Sequence, residues 1–262
     1  MSWVLLRGLM REQRHWGSFV AALQHAYPDQ RILTLDFAGN GVLSAQSSAT
    51  SVTQMVEQLR AQLGTQSGQQ QSGKIRLMAI SLGAMVAVAW AERYPDEIQD
   101  LTLINTSLAP HSPFYQRLRP RNYAVLLYTM LCGSLQQREQ LILRLTSQRF
   151  NGTAAKEQAA EIVAHWVSLA QAHPVRRRNV LRQLYAAMHY RAPDQAPAVA
   201  LRILAGAKDA LVNPQCSITL AQRWNAELRL HPEAGHDLPL DDADWVIRQT
   251  LDSVAKPLSS AS

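Results

Sequence analysis

Apolar residues form short strand-like runs and longer helical stretches, which alternate up to Ser107 and again from Ala200. The run Ile75 to Ile80 has the length and composition of a buried strand, and an apolar helical pattern follows at once from Leu82 to about Tyr94. A repeated strand-then-helix order predicts βα units. The chain is therefore expected to adopt an α/β fold around a mostly parallel central sheet of about six strands flanked by helices.

The segment Leu108 to Val199 has helical periodicity and no strand pattern. It predicts a helical insertion that divides an α/β core into residues 1–107 and 200–256. Residues 257–262 are expected to form a flexible tail. The polar stretch Gly64 to Gly73 predicts a loop before the strand that begins at Ile75.

Ser81 stands between the predicted strand and helix, with the small residues Ala79 and Gly83 two positions to either side. A serine on a sharp strand-to-helix turn is held out as a nucleophile, and the turn brings the flanking backbone so close that only small residues fit. The pattern is short enough to arise by chance. A catalytic role for Ser81 therefore requires a base and an acid elsewhere in the chain.

A nucleophilic serine needs a base that accepts its proton and an acid that orients the base. The apolar run Leu201 to Ala205 predicts a strand ending in a polar turn with Asp209, and the short run Glu227 to Leu230 precedes a loop with His236. Because the carboxyl ends of parallel strands meet at one edge of a sheet, Ser81, Asp209 and His236 are expected to converge. The alternatives are a turn-forming role for Asp209 and a surface-loop role for His236.

Five motifs in order give nearly the whole chain a resemblance to the α/β-hydrolase superfamily. They are Val4 to Leu9, Leu35 to Gly41, Ala79 to Gly83, Gly206 to Asp209 and Gly235-His236. The resemblance implies that Ser81 is the nucleophile, His236 the general base and Asp209 its partner. It also implies that the backbone N–H groups of Leu9 and Leu82 form the oxyanion hole. The helical insertion, residues 108–199, would be a cap inserted after the sixth core strand of the family.

Two positions depart from the family pattern. Arg7 stands where histidine is usual before the oxyanion turn, and Asn40 stands where histidine or arginine is common. The expected donor at Leu9 is a backbone group, so Arg7 would change the geometry of the turn and not the donor itself. The first strand begins at about Trp3, and the N-terminal hairpin of the family is expected to be missing.

Composition adds a few constraints. A chain of 262 residues with 47% hydrophobic residues suits one large domain with an insertion. The two cysteines, Cys132 and Cys216, form neither a disulfide framework nor a metal-ligand spacing, and we expect no metal and no cofactor. The sequence has no recognisable signal peptide or membrane-spanning run, which predicts a cytoplasmic protein.

The formal net charge is +6, and the net positive charge arises in the insertion, which has 12 of the 26 Lys and Arg residues but only four of the 20 Asp and Glu residues. The arginines there are Arg117, Arg119, Arg121, Arg138, Arg144, Arg149, Arg176, Arg177, Arg178, Arg182 and Arg191. Basic residues usually solvate helix faces. The more specific interpretation is an acidic partner or substrate, namely an acyl carrier protein, a coenzyme A thioester or a carboxylate-bearing ester. The sequence has no nucleic-acid-binding motif, and a nucleic-acid partner is not expected.

The function that the resemblance implies is a serine hydrolase that cleaves carboxylic esters or thioesters through an acyl-enzyme. The bare core and basic cap are similar in kind to the esterases that demethylate pimeloyl-carrier-protein ester. The same residues would serve a carbon–carbon bond hydrolase or a haloperoxidase-like enzyme, and a non-catalytic ligand-binding member of the fold is a third alternative. A serine instead of an aspartate at position 81 argues against dehalogenase or epoxide hydrolase chemistry.

Overall fold

The computed structural model of the protein describes residues 1–67 and 73–251. The strands are β1 (Ser2–Leu6), β2 (Arg31–Leu35), β3 (Ile75–Ile80), β4 (Ile98–Ile104), β5 (Ala200–Gly206) and β6 (Glu227–His231). The helices are α1 (Phe19–Ala26), α2 (Val52–Ser67), α3 (Leu82–Arg93), α4 (Phe114–Arg117), α5 (Tyr123–Cys132), α6 (Leu135–Thr146), α7 (Lys156–Ala172), α8 (Arg177–His189), α9 (Gln215–Trp224), α10 (Leu238–Asp241) and α11 (Ala243–Leu251). The predicted tail, residues 257–262, lies outside the described residues, as does the end of the predicted core segment.

The six strands form one parallel sheet in the order β2-β1-β3-β4-β5-β6. β3 is buried along its whole length, and β1 and β4 are largely buried. Helices cover both faces of a parallel sheet, which explains why β1 and β3 have almost uninterrupted apolar sequences. The predicted α/β fold with a parallel sheet of about six strands is confirmed.

Successive side chains of β1 enter two different cores, because residues in a strand alternate between its faces. Val4 and Leu6 pack in a cluster with residues of α2 and α3. Trp3 and Leu5 pack in a second cluster with residues of α1 and α11. Packing on both faces fixes the carboxyl end of β1, where the turn at Gly8 begins.

Helices α4 to α8 lie between β4 and β5, and residues 108–199 add no strand to the sheet. The Ala192 N–H donates to the Ala109 carbonyl at 2.7 Å, so the two ends of this segment lie side by side. The segment has a small apolar cluster of its own, made of Leu143, Val163, Trp166 and Leu169. The assignment of this segment as a cap remains a prediction.

Helix α2 extends farther than the sequence predicts. Residues Gly64 to Ser67 are helical, although the polar composition favours a loop from Gly64 to Gly73, and residues 68–72 lie outside the described residues. The buried side chains of Val56, Leu59 and Leu63 hold one face of the helix against the core. This tertiary packing outweighs the low helix propensity of glycine and threonine.

No helix in the described part of the chain is both long and apolar enough to cross a membrane.

Candidate active site

Ser81 lies on a turn between β3 and α3 with φ of 58° and ψ of −118°. Positive φ is uncommon for a residue with a side chain and is held only when the surrounding structure enforces it. The Ser81 N–H donates to the Ile104 carbonyl of β4 at 3.1 Å. A Cβ atom on Gly83 would lie 2.6 Å from the carbonyl oxygen of Arg7 and 2.7 Å from that of Leu6. The turn therefore needs glycine at position 83 and presses against the end of β1.

The two backbone N–H groups expected to bind an oxyanion are those of Leu9 and Leu82. Leu82 is the first residue of α3, so its N–H is one of the donors that a helix leaves unpaired. Leu9 follows Gly8, and a Cβ atom on Gly8 would lie 3.1 Å from Ser81 Cβ, so this turn packs directly against Ser81. Among the described residues, neither N–H has a hydrogen-bond acceptor. Unpaired donors beside a nucleophile are what stabilisation of a developing oxyanion requires.

Asp209 and His236 contact each other directly and are both buried. His236 Nδ1 lies 2.6 Å from Asp209 Oδ2. An ionised carboxylate only accepts hydrogen bonds, so Nδ1 carries the proton and Nε2 of a neutral ring is an acceptor. Within the part of the chain that the structure describes, neither His236 Nε2 nor Ser81 Oγ has a hydrogen-bond partner. In proteins without bound substrate, such contacts are often long and close only when the substrate binds.

The second carboxylate oxygen of Asp209 also accepts hydrogen bonds. Asp209 Oδ1 accepts the N–H groups of Leu211 at 2.8 Å and Val212 at 2.9 Å. These two bonds fix the rotation of the carboxylate, which leaves Oδ2 directed at His236. Asp209 therefore forms a local turn in addition to its contact with the histidine, so the turn-forming role does not exclude a role beside the histidine.

The start of the insertion holds the loop that carries Asp209. The Arg119 N–H donates to the Leu211 carbonyl at 3.0 Å, and Asn122 Nδ2 donates to the Ala210 carbonyl at 2.8 Å. These bonds join a segment after β4 to the loop after β5. Sequence reasoning missed them, because residues about 90 positions apart leave no common pattern in the chain.

The loop that carries His236 is held by two side chains that sequence reasoning also missed. Asn105 Nδ2 donates to the carbonyl oxygens of Gly235 at 3.0 Å and His236 at 2.7 Å. Asp241 accepts the Gly235 N–H at 2.7 Å and the hydroxyl of Ser147. The loop is thus fastened to the end of β4 on one side and to the insertion on the other.

A family model described as serine aminopeptidase, S33, matches residues 4–243. The chain belongs to this family. Family membership and the parallel sheet confirm the predicted resemblance to the α/β-hydrolase superfamily. A comparison with curated proteins gave no significant match.

Solved structures with the same fold are numerous and distant in sequence. The 2-hydroxy-6-oxo-6-phenylhexa-2,4-dienoate hydrolase from Rhodococcus sp. strain RHA1 is 18% identical, covers 97% of this chain and 90% of its own, and has a TM-score of 0.77. A putative non-heme bromoperoxidase from Mycobacterium tuberculosis H37Rv is 19% identical over 98% of this chain and 93% of its own, with a TM-score of 0.73. An enol-lactonase from Burkholderia xenovorans LB400 is 18% identical over 97% of this chain and 91% of its own, with a TM-score of 0.73. At these identities the similarity is evidence for the fold alone.

In this S33-family chain, Arg7 pairs with Asp237, the residue after His236. Arg7 Nη1 donates to Asp237 Oδ1 at 3.0 Å and Nη2 donates to Oδ2 at 2.5 Å. Both side chains are buried, and a bidentate arginine–carboxylate pair satisfies both charges. Arg7, which stands in place of the usual histidine, therefore links the turn before Leu9 to the loop that carries His236.

Burial changes the titration of two acidic groups of this S33-family chain, one at the end of α10, after the loop of His236, and one directly after β2. It raises the pKa of Asp241, although several N–H donors and the Ser147 hydroxyl oppose the effect. Burial also raises the pKa of Asp36 to about 6, and the hydrogen bond from the Gln13 N–H opposes it. The described residues contain no group of three or more His, Cys, Asp or Glu side chains placed to hold a metal ion.

Proposed function

We propose that the protein is a serine hydrolase that cleaves carboxylic esters or thioesters through an acyl-enzyme. The observation that carries the proposal is the buried His236–Asp209 hydrogen bond at the same sheet edge as a serine on a strained strand-to-helix turn. Family membership supports hydrolase chemistry in general. Binding alone would need neither a strained serine nor a buried histidine–carboxylate pair.

In the proposed reaction, Ser81 Oγ attacks the substrate carbonyl carbon while His236 Nε2 accepts the hydroxyl proton. Asp209 holds the ring in the tautomer that leaves Nε2 unprotonated and stabilises the imidazolium that forms. The N–H groups of Leu9 and Leu82 bind the negatively charged oxygen of the tetrahedral intermediate. The imidazolium then gives its proton to the departing alcohol or thiol, and the acyl group stays on Ser81.

Hydrolysis of the acyl-enzyme repeats these steps with water as the nucleophile. His236 Nε2 takes a proton from the water, the hydroxide adds to the acyl carbon, and the proton returns to Ser81 Oγ as the acid leaves. Every proton is carried by the imidazole, and no redox step occurs. The proposed mechanism therefore uses no metal and no cofactor.

A fluorophosphonate probe tests the proposal. The probe should phosphonylate Ser81 alone, detected as one mass increment on one peptide, and Ser81→Ala should abolish both labelling and turnover of a short nitrophenyl ester. Ser168→Ala is the control, because Ser168 is exposed on α7 and donates only to the His165 carbonyl within its own helix. It should label and turn over like the parent protein. Labelling that persists in Ser81→Ala would contradict the assignment.

The same residues would also cleave a carbon–carbon bond next to a carbonyl or act in a haloperoxidase-like reaction. The second candidate is the carbon–carbon hydrolase, since one structural neighbour with this fold is a dienoate hydrolase. A vinylogous diketone assayed beside the nitrophenyl ester separates the two. Turnover of the diketone with no turnover of any ester would favour the second candidate.

We propose further that the substrate or its carrier is anionic, either an acyl carrier protein or a coenzyme A thioester bound through the cap. Three partly buried arginines of the insertion have internal acceptors: Arg117 donates to the Ala187 carbonyl, Arg119 to that of Val212 and Arg182 to that of Ser48. Arg177 is exposed and donates to the Leu131 carbonyl at 3.2 Å. The proposal concerns the exposed arginines of the insertion, which are Arg121, Arg144, Arg149, Arg176, Arg177, Arg178 and Arg191. A cytoplasmic location is proposed with it, in agreement with the free thiols of Cys132 and Cys216.

A further inference from the structure

We propose that Asn105 is a positioning residue that holds the loops of His236 and Asp209 in register with Ser81. The inference rests on the proposed function, because it assigns those three residues to one reaction. Asn105 follows β4 directly and is buried. Its side chain contacts substrate in no step of the proposed mechanism and acts through the backbone of the neighbouring loops.

One planar amide makes three hydrogen bonds to two loops. Asn105 Oδ1 accepts the Gly206 N–H at 2.9 Å, at the start of the turn that carries Asp209. Asn105 Nδ2 donates to the Gly235 carbonyl at 3.0 Å and to the His236 carbonyl at 2.7 Å. The distance between the carboxylate and the imidazole is therefore set partly by the dimensions of a single amide group.

The backbone at the same place holds the nucleophile. The Ser81 N–H donates to the carbonyl of Ile104, the residue before Asn105, at 3.1 Å. The Asn105 N–H itself donates to the Leu204 carbonyl of β5 at 2.9 Å. Two consecutive residues at the end of β4 thus contact the turns of all three residues that the proposed mechanism uses.

The chemistry of the position selects asparagine. The site needs one acceptor and two donors in one plane, which the amide of asparagine supplies and the carboxylate of aspartate does not. The backbone has φ of 46°, in the left-handed region that asparagine tolerates better than other residues with a side chain. Glycine tolerates the same backbone but supplies no hydrogen bond. Aspartate would therefore remove the two donated side-chain hydrogen bonds, and glycine would remove all three.

The test compares Asn105→Asp and Asn105→Gly with Asn225→Asp as a matched control. Asn225 has nearly the same backbone conformation, with φ of 48°, but it is exposed at the end of α9. We expect both Asn105 variants to lower kcat for a nitrophenyl ester by about 10- to 100-fold, the loss typical of a small misplacement of catalytic groups. KM should stay within about two-fold, because no binding contact is removed. Asn225→Asp should match the parent in both constants.

Two further measurements separate positioning from a general loss of structure. In a His236→Ala background, Asn105→Asp should cause almost no additional loss of rate, because groups that act as a unit are not additive. The proton NMR resonance of the His236 Nδ1–H, assigned by its absence in His236→Ala, should shift or disappear in both Asn105 variants while the remaining spectrum stays folded. This signal reports the His236–Asp209 contact whether or not the protein hydrolyses an ester.

The possible outcomes are distinct. A parent protein that fails to label at Ser81 contradicts the proposed function, and the resonance then still decides whether Asn105 holds His236 in place. An Asn105→Asp variant that does not fold leaves the decision to Asn105→Gly, which keeps the backbone conformation. Parent-like kcat with an unchanged resonance in the folded variants overturns the inference, as does a full additional loss in the His236→Ala background.

Discussion

Asp209 and Asp237 both lie close to His236 along the chain or in space, but their side chains have different partners. Asp209 contacts His236 Nδ1 at 2.6 Å, whereas Asp237 forms a bidentate pair with Arg7. Neighbouring residues in a chain direct their side chains differently. Asp237 therefore follows His236 in sequence without contacting the imidazole ring. The pairing predicts that only Asp209 acts on the imidazole.

Replacement of each carboxylate by its amide tests this difference. Asp209→Asn should lower kcat by about 10⁴-fold, because the amide favours the wrong tautomer of the histidine. Asp237→Asn should instead lower the free energy of unfolding by about 3 kcal/mol, because it leaves the Arg7 charge buried without its counter-ion. Steady-state kinetics and urea unfolding of both variants measure the two effects. A larger loss of kcat in Asp237→Asn than in Asp209→Asn would show that Asp237, and not Asp209, acts on the imidazole.

A second carboxyl group gives a prediction about pH. Burial raises the pKa of Asp36 from its ordinary value of 3.8 to about 6. Between these values the folded state keeps a proton that the unfolded state releases. The stability that this proton contributes is therefore complete below about pH 4 and is lost as the pH rises to about 6.

Asp36→Asn removes this titration, so the unfolding free energy of the variant minus that of the parent should increase by up to roughly 3 kcal/mol across that range. Urea unfolding at a series of pH values measures the difference. Other groups, including His15, whose pKa burial lowers, titrate in both proteins and cancel. A difference that stays constant with pH would contradict the raised pKa.

At the scale of single residues, the sequence predicted Ser81, Asp209 and His236 because each follows a strand-like run and the three occur in the family's order. It did not predict that the side chains of Asn105 and Asp241 hold the loop that carries His236. Asn105 acts on residues 101 and 131 positions away, and no local pattern marks a side chain by its distant partners. Such residues are found only when the fold brings their partners together.

At the scale of elements, the turn from β3 into α3 depends on close contact between two backbones. Gly83 lies on α3, and a Cβ atom there would meet the carbonyl oxygens of Arg7 and Leu6, which are backbone atoms that cannot rotate away. Gly64 lies on α2 with open space around it. The two helical glycines are therefore a matched pair for the same substitution.

Gly83→Ala should destabilise the fold by about 2 kcal/mol or more, since the two elements must move apart. It should also lower kcat, because the movement displaces Ser81. Gly64→Ala should raise the free energy of unfolding by about 0.5–1 kcal/mol, because alanine favours the helix. Thermal unfolding and ester turnover of both variants are the measurements. Equal effects on stability would show that the turn does not need glycine at position 83.

β3 was predictable because burial on both faces leaves an apolar run that only Arg76 interrupts. The end of α2 was not, since Gly64 to Ser67 have the composition of a loop and become helical through the packing of the preceding turns. The same limit applies to α8, where Asn179, Arg182 and Gln183 are polar but contact the loop after β2. A polar residue is therefore exposed to solvent only when no other part of the folded chain packs against it.

At the scale of the whole molecule, apolar and basic side chains are exposed together on the insertion. Phe114, Leu127, Tyr128, Leu181 and Met188 are each more than half exposed. The arginines Arg176, Arg177 and Arg178 are exposed at the N-terminus of α8. A helix N-terminus disfavours positive charge, so this placement carries a local cost in stability with no ion pair to offset it among the described residues.

Such an arrangement is explained if the arginines meet an anionic partner, as proposed above. Charge steering of this kind raises the association rate and weakens with salt, because exposed charges are screened beyond about 10 Å at 0.1 M ionic strength. The kcat/KM for an acyl-carrier-protein or coenzyme A thioester should therefore fall as salt rises. The kcat/KM for a neutral nitrophenyl ester should not change.

Reversal of the three charges, with Arg176, Arg177 and Arg178 replaced by glutamate, should lower kcat/KM for the anionic substrate and remove most of its salt dependence. It should also make α8 slightly more stable, since negative charge is favoured at a helix N-terminus. The control reverses three exposed charges of the core, Arg31, Lys74 and Arg248, and thus changes the net charge equally. If both triple variants lose the same activity, the effect belongs to total charge. If neither loses any, these three arginines solvate the cap, and an anionic partner bound through them is excluded.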